Sequence, residues 1–380
     1  MDFKARRKRF FTDMAAKGIE NLFIQNTDSI YYLSGFDAGA ARTRPYGLLL
    51  TPTKEILLSP TTAVDAAREE AQGVEVTAYY EHPVGEGIPM SYYAAIKEMV
   101  ASGMSGKVIG VENARMSVAD QEALNGMGFS VRDVSVHLMR MRSIKEPEEL
   151  AAIRIAAKYV DFINSATLKL MRPGITEMEL AHTGAMELYL KVAEELPGAN
   201  VDAFIMTTSG PHRTTLPHTN TTMRKLEARD FALFCRQVSI NVYRGQADRM
   251  GFLGEPTAEQ KKYYQIVMNA HGAALEMIRP GVRVGDIDKK VREVLYKEGI
   301  DQAKYFICRS GCGVGLNMAE PPYIRFDNDE IAEANMVLII QPAVYIPDVG
   351  GFRCTDTVIV TDSGIEEITK HPRNIEALTV

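Results

Sequence analysis

The chain has 380 residues, 46% of them hydrophobic, and a formal net charge of −6. That length and apolar content suffice for two domains with buried cores, and the mild acidity excludes a nucleic-acid surface built on net positive charge. No apolar run reaches signal-peptide or membrane-spanning length, and Cys235, Cys308, Cys312 and Cys354 read as reduced thiols, so a cytoplasmic protein with no membrane partner is expected.

Residues 2–17 carry helical periodicity, with Phe3, Phe10, Phe11 and Met14 as the buried stripe and Lys4, Arg6, Arg7, Lys8 and Arg9 as its solvated face. A strand at 22–25, a helix at 29–33 stopped by Gly35, strands at 46–51 and 55–58, a helix at 62–72 and a strand at 108–111 follow. Short connections between alternating elements give an α/β domain over residues 1–142. Its distinctive polar piece is the loop before Tyr46, where Arg42 and Arg44 are either solvated or form a carboxylate fork.

The second domain is expected over residues 143–380, beginning after the polar run 140–147. Helix 148–171 places Leu150, Ile153, Ala157, Val160 and Ile163 on one face. It stops at Arg172-Pro173-Gly174, and Thr176 caps the next helix. The phrase returns as Arg279-Pro280-Gly281, again between two helices and ahead of strands, which predicts a duplicated unit with a pseudo-twofold cleft.

Between the two repeats lies the stretch 209–250. It opens on the turn Ser209-Gly210-Pro211, presents His212 and His218 from a polar loop, and continues in a buried strand at 231–235. Residues 238–243 are its continuation or hairpin partner, and the pair ends on Asp248-Arg249, an acid beside a base that reads first as a structural ion pair. Further on, Ser310-Gly311-Cys312-Gly313-Val314-Gly315 lacks the lysine of a P-loop and the spacing of a dinucleotide fingerprint. Strands at 336–341, 344–346 and 352–361 complete the chain.

The SGPH and LPH pieces around His212 and His218, the strand pair ending QADRM, GCGVGLNMAEPPY, NMVLIIQPAVYIP and GGFRCTDTVIVT occur in the order of a known fold. The region 144–361 resembles the pita-bread fold of the creatinase, prolidase and methionine-aminopeptidase superfamily. The first domain, with IENLFIQNTDSIYYLSGF, resembles the small domain of the creatinase and prolidase branch. The implied fold is an α/β N-terminal domain followed by an α+β pita-bread domain with an internal pseudo-twofold repeat.

The metallopeptidases of that superfamily hold two divalent metals with two aspartates, a histidine and two glutamates. Laid on those motifs, the five positions fall on Cys235, Asp248, Cys312, Gln341 and Thr355. One carboxylate does not offset two dications, so no metal and no cofactor is expected. A soft zinc site on Cys235, Cys312 and Asp248, or a disulfide between the two cysteines, is a lesser reading.

The closest pattern is that of creatinase. It implies His218 as general acid/base, Asp248 beside it at the vacated metal position, and Arg44 as a carboxylate clamp that reaches the other subunit of a homodimer. Tyr323 falls at a second clamp position, with Arg325 close by, and His212 is a further candidate donor; Cys235, Cys312, Gln341 and Thr355 complete the substrate surroundings. The expected activity is a metal-independent, creatinase-like hydrolase opening a C–N bond of a guanidino, amidine or cyclic amide group in a small carboxylate-bearing substrate. A lyase using the same His/Asp pair and an inactive pita-bread binding protein are the alternatives, and an Xaa-Pro-type metallopeptidase comes last.

Overall fold

The structure is a computed structural model that describes residues 1–82, 87–89, 91–104, 106–306 and 308–380. Its contacts divide the chain into two compact units, Met1–Arg142 and Ser143–Val380.

In the first unit, α1 (Phe3–Ala15) starts at Asp2, whose carboxylate accepts from the Ala5 amide at 2.9 Å and satisfies one of the donors every helix start leaves over. It is followed by β1 (Leu22–Ile24), α2 (Thr27–Ser34), β2 (Gly47–Leu50), β3 (Glu55–Pro60), α3 (Val64–Glu70), β4 (Glu75–Tyr79), α4 (Tyr92–Gly103), β5 (Val108–Val111), α5 (Val118–Gly126), β6 (Ser130–Asp133) and α6 (Ser135–Ser143). The strands form one mixed sheet in the order β4-β3-β2-β1-β5-β6.

The basic cluster of α1 is not all solvated, contrary to its sequence pattern. Arg6 and Arg7 are fully buried. Arg7 donates to the Leu33 and Gly73 carbonyls at 2.7 and 3.0 Å and pairs with Glu55 at 2.7 Å. Arg6 donates to the Tyr32 carbonyl at 3.2 Å, with its guanidinium 4.4 Å from the Tyr32 ring centroid. Both use acceptors that lie far along the chain, so burial leaves neither charge unpartnered.

The second unit opens on α7 (Pro147–Leu170), which has proline in its first turn and a capping box between Glu146 and Glu149. Its stripe Leu150, Ile153, Ala157, Val160 and Ile163 is buried, each side chain contributing roughly 1–3 kcal/mol of transfer free energy. Helix α8 (Glu177–Glu195) starts with the Thr176–Glu179 capping box. Then come β7 (Val201–Ser209), the short α9 (Gly210–Thr214), β8 (Phe231–Ile240) and β9 (Tyr243–Phe252). The second helix pair is α10 (Ala258–Met277) and α11 (Val284–Lys297), followed by α12 (Gln302–Tyr305). The last strands are β10 (Gly311–Gly313), β11 (Glu320–Ile324), β12 (Val337–Ile340), β13 (Ala343–Ile346), β14 (Gly350–Arg353), β15 (Asp356–Val360) and β16 (Ile365–Glu367).

Two helices and a sheet thus occur twice: α7 and α8 with β7-β8-β9, then α10 and α11 with β11-β10-β12-β15-β16. This is the pita-bread architecture with its internal repeat. Strand β8 runs unbroken through Arg236 and Gln237, and residues 238–240 continue it. The partner begins at Tyr243, after a two-residue turn in which Asn241 and Val242 both have positive φ, the form a tight hairpin requires. Asp248 and Arg249 therefore lie inside β9, not at the end of a strand pair. The expected strand 352–361 is likewise two strands, because the chain leaves the β13–β14 hairpin at Cys354 and Thr355 and joins the larger sheet at Asp356. Gly351 in that hairpin passes so close to α9 that a Cβ would stand 1.9 Å from the Thr214 carbonyl oxygen; its amide donates to Thr214 Oγ1 at 2.9 Å.

Candidate active site

Successive residues of a strand face opposite ways, so Asp248 and Arg249 belong to two different polar clusters. Arg249 turns to Asp356, pairing with it at 2.6 Å, and takes no part in a pair with Asp248. Around Asp356 stand Thr369 at 2.7 Å, His271 at 3.2 Å and Arg373 at 3.2 Å, all on a fully buried carboxylate. Burial opposes the Asp356 charge, yet Arg249 and His271 hold its carboxyl far below the usual range. With Cys354, His271 and Asp356 form the one group among the described residues with metal-ligand convergence. Two guanidiniums already neutralise it, and it reads as a structural knot.

Asp248 faces the other way and is also fully buried. Its Oδ2 accepts from Thr355 Oγ1 at 2.8 Å and Gln341 Nε2 at 3.0 Å, with Arg353 Nη1 at 3.4 Å. Gln246 Nε2 lies 3.2 Å from both carboxylate oxygens, and the Arg236 amide donates to Oδ1 at 3.3 Å. Cys235 stands opposite Asp248 in the β8–β9 register. The ring is built by three segments: the interior of β9 brings Asp248, the residue after β12 brings Gln341, and the end of β14 and the break after it bring Arg353 and Thr355.

Beside this ring is a cavity of about 310 Å³, lined by His218, Arg309, Arg325, Gln341, Tyr345 and Arg353 along with Pro217, Cys308 and Ala343. Arg353 is almost fully buried and spans from Asp248 to the Pro217 carbonyl, to which Nη2 donates at 3.3 Å. Burial opposes its charge, and the Asp248 carboxylate beside it offsets that cost. Burial also raises the Tyr345 hydroxyl well above its ordinary value.

Of the residues singled out in the sequence, His218, Arg325 and Gln341 come together in the cavity wall, and Gln341 and Thr355 converge on Asp248. His212 sits exposed on α9 and does not line the cavity. Tyr323 lies under Arg309, whose guanidinium is 4.8 Å from its ring centroid. Arg44 belongs to the first unit, where it pairs with Glu81. Arg309, Arg353, Tyr345 and Cys308 were missed. For Arg353 a signal existed: it precedes Thr355 by two in an extended segment and so shares its face.

The soft-metal reading fails on geometry. Among the described residues Cys235, Cys312 and Asp248 form no converging ligand group, and all four cysteines are free. A two-metal centre does not fit the five motif positions either. Burial pushes the Cys235 thiol up to about 12 and raises Cys312 as well, leaving neutral sulfurs. Gln341 and Thr355 point hydrogens, not lone pairs, at Asp248, and a guanidinium closes its remaining side.

Residues 151–362 match the model of metallopeptidase family M24, and residues 6–144 match the creatinase/prolidase N-terminal domain. The chain belongs to family M24. An uncharacterized peptidase of Staphylococcus aureus is 28% identical over 351 residues, covering 91% of this chain and 93% of that one. Among solved structures, dipeptidase PepE from Mycobacterium ulcerans superposes with a TM-score of 0.82 at 26% identity, covering both chains completely. Prolidase from Pyrococcus furiosus gives 0.82 at 25%, covering 95% of this chain and 99% of that one.

These relatives overturn the placement in the creatinase branch and the expected metal-independent hydrolase of guanidino, amidine or cyclic amide groups. The alternatives of a lyase and of an inactive binding protein fall with it, and peptidases, ranked last on the four lost ligands, are where the relatives stand. The physical reason is that those positions report how a carboxylate is partnered, whereas the bond cleaved is set by the whole cleft. Among the described residues no helix is long and apolar enough to cross a membrane.

Proposed function

We propose that this chain is a dipeptidase-class enzyme that hydrolyses the amide bond of a small peptide in the cavity beside Asp248. The observation that carries this reading is the wall of that cavity: three guanidiniums and a histidine around about 310 Å³, in a member of family M24. A space of that size takes a dipeptide, and arginine forks bind a carboxylate through paired N–H donors. His218 lines the cavity from the loop after α9, exposed enough to reach a substrate. It takes a proton from the attacking water and returns one to the departing nitrogen, so water adds across the C–N bond. Asp248 is the organiser of the floor and not the attacking group, because both its oxygens are occupied by donors. The pairing of two chains implied by the resemblance remains part of the proposal, and size-exclusion chromatography with light scattering checks it.

The test is chromatographic detection of free amino acids from a dipeptide panel that includes Gly-Pro and Ala-Ala, run with added Mn²⁺ and with chelator. Release in either condition, lowered about 10²–10⁴-fold in kcat by His218→Ala with the melting temperature kept, supports the reading. No release from any dipeptide in both conditions overturns it.

A further inference from the structure

Among the described residues, the cavity wall contains Arg309, Arg325 and Arg353 and no carboxylate. Two of these guanidiniums have acids behind the wall. Arg353 has Asp248 at 3.4 Å, and Arg325 grips Asp327 as a fork at 2.8 and 2.6 Å. Arg309 has none within ion-pair distance among the described residues. Three guanidiniums against two carboxylates leave one positive charge, and it sits at Arg309.

A second observation points the same way. Arg353 Nε is buried in the cavity wall and has no hydrogen-bond partner, while both its Nη atoms are engaged. A buried donor without an acceptor is unfavourable and adds to the positive potential of this wall. The Arg309 guanidinium lies over the Tyr323 ring, 4.8 Å from its centroid, a cation–π contact that steadies it in the cavity wall.

Resting on the dipeptide reading above, we propose that the cavity selects an acidic substrate, one that carries a side-chain carboxylate besides its C-terminal one, with Arg309 as the residue that reads the added charge. A neutral zwitterionic dipeptide leaves the wall's extra positive charge uncompensated. A dipeptide with a glutamate or aspartate side chain has a net charge of −1 and cancels it. One carboxylate settles against Arg309 and the other against the remaining guanidiniums of the wall, and the uncancelled charge at Arg309 adds long-range attraction that salt screens.

Gly-Glu and Gly-Gln have the same shape and differ by one charge, so the experiment compares them. Binding by calorimetry and kcat/KM are measured on the full chain, for wild type, Arg309→Met and Arg309→Lys, at low and high salt. The expected result is a preference for Gly-Glu of tenfold or more in wild type, carried by Kd and KM, smaller at high salt, abolished in R309M and partly kept in R309K. Arg309 is exposed, so its replacement leaves the fold intact. If neither peptide is cleaved but Gly-Glu binds more tightly in an Arg309-dependent way, the hydrolase reading falls and the selectivity stands. Equal binding of the two peptides by wild type, or an unchanged preference in R309M, overturns the selectivity whatever the hydrolysis shows.

Discussion

Thr355 donates its hydroxyl hydrogen to Asp248 Oδ2 over 2.8 Å, both residues being fully buried. The bond exists because the chain changes sheets at Thr355, which turns that side chain toward β9. Replacing Thr355 with valine keeps the volume and removes a donor from a buried charge. Hydrogen bonds to charged groups are worth about 1.5–3 kcal/mol, so thermal denaturation of T355V should show a melting temperature lower by several degrees. An unchanged melting curve would mean that Asp248 does not depend on this donor.

Gln341→Glu places a second carboxylate about 3 Å from Asp248, in the position of its amide donor. Two acids at that distance cannot both ionise. The variant should be destabilised at pH 8, recover as pH falls toward 5, and gain melting temperature on addition of Mn²⁺, which supplies the missing counter-charge. Loss of stability equal at both pH values and indifferent to the ion would count against this account of the floor.

The knot on the far face of β9 is structural, and Asp356→Asn tests it. The change leaves Arg249, which is 1% exposed, buried without its anion. Breaking one partner of such a pair costs about 3–5 kcal/mol. Chemical denaturation should show a loss of that order, with an unchanged slope against denaturant.

Glu112 in the first unit gives a pH signature. Burial pushes its carboxyl up to about 7 from 4.5, only partly countered by the Ser29 hydroxyl, which donates to it at 2.8 Å. The folded chain therefore binds a proton that the unfolded chain has released between those two values. Stability falls as pH rises through that window, and the loss is complete above the folded value. Glu112→Gln should stabilise the chain above pH 7, by roughly 1–3 kcal/mol, and have little effect near pH 4. Denaturation at both pH values reads the difference.

Much of this architecture was legible because it rests on periodicity. The stripe from Leu150 to Ile163 and the repeated Arg-Pro-Gly phrase each carry a local signal that tertiary structure follows. What was not legible depends on partners distant in the chain. Arg6 and Arg7 look like a solvated face until Tyr32, Leu33, Glu55 and Gly73 supply their acceptors. Arg236 interrupts an apolar run, yet it lies fully buried in β8 because the Met206 carbonyl and Thr207 hydroxyl of β7 take its donors. The adjacency of Asp248 and Arg249 suggested a pair, where strand geometry sends them to opposite faces. Four substituted ligand positions, Cys235, Cys312, Gln341 and Thr355, were legible as well, but they report the partners of one carboxylate and not the cleft around it.

The loop that carries His218 is fastened at both of its near anchors, at Thr214 by the Gly351 amide and at Pro217 by Arg353. Its conformational freedom is therefore surrendered during folding and not when a ligand arrives. An arriving substrate meets a preorganised wall, and association entails little further loss of backbone entropy at this loop.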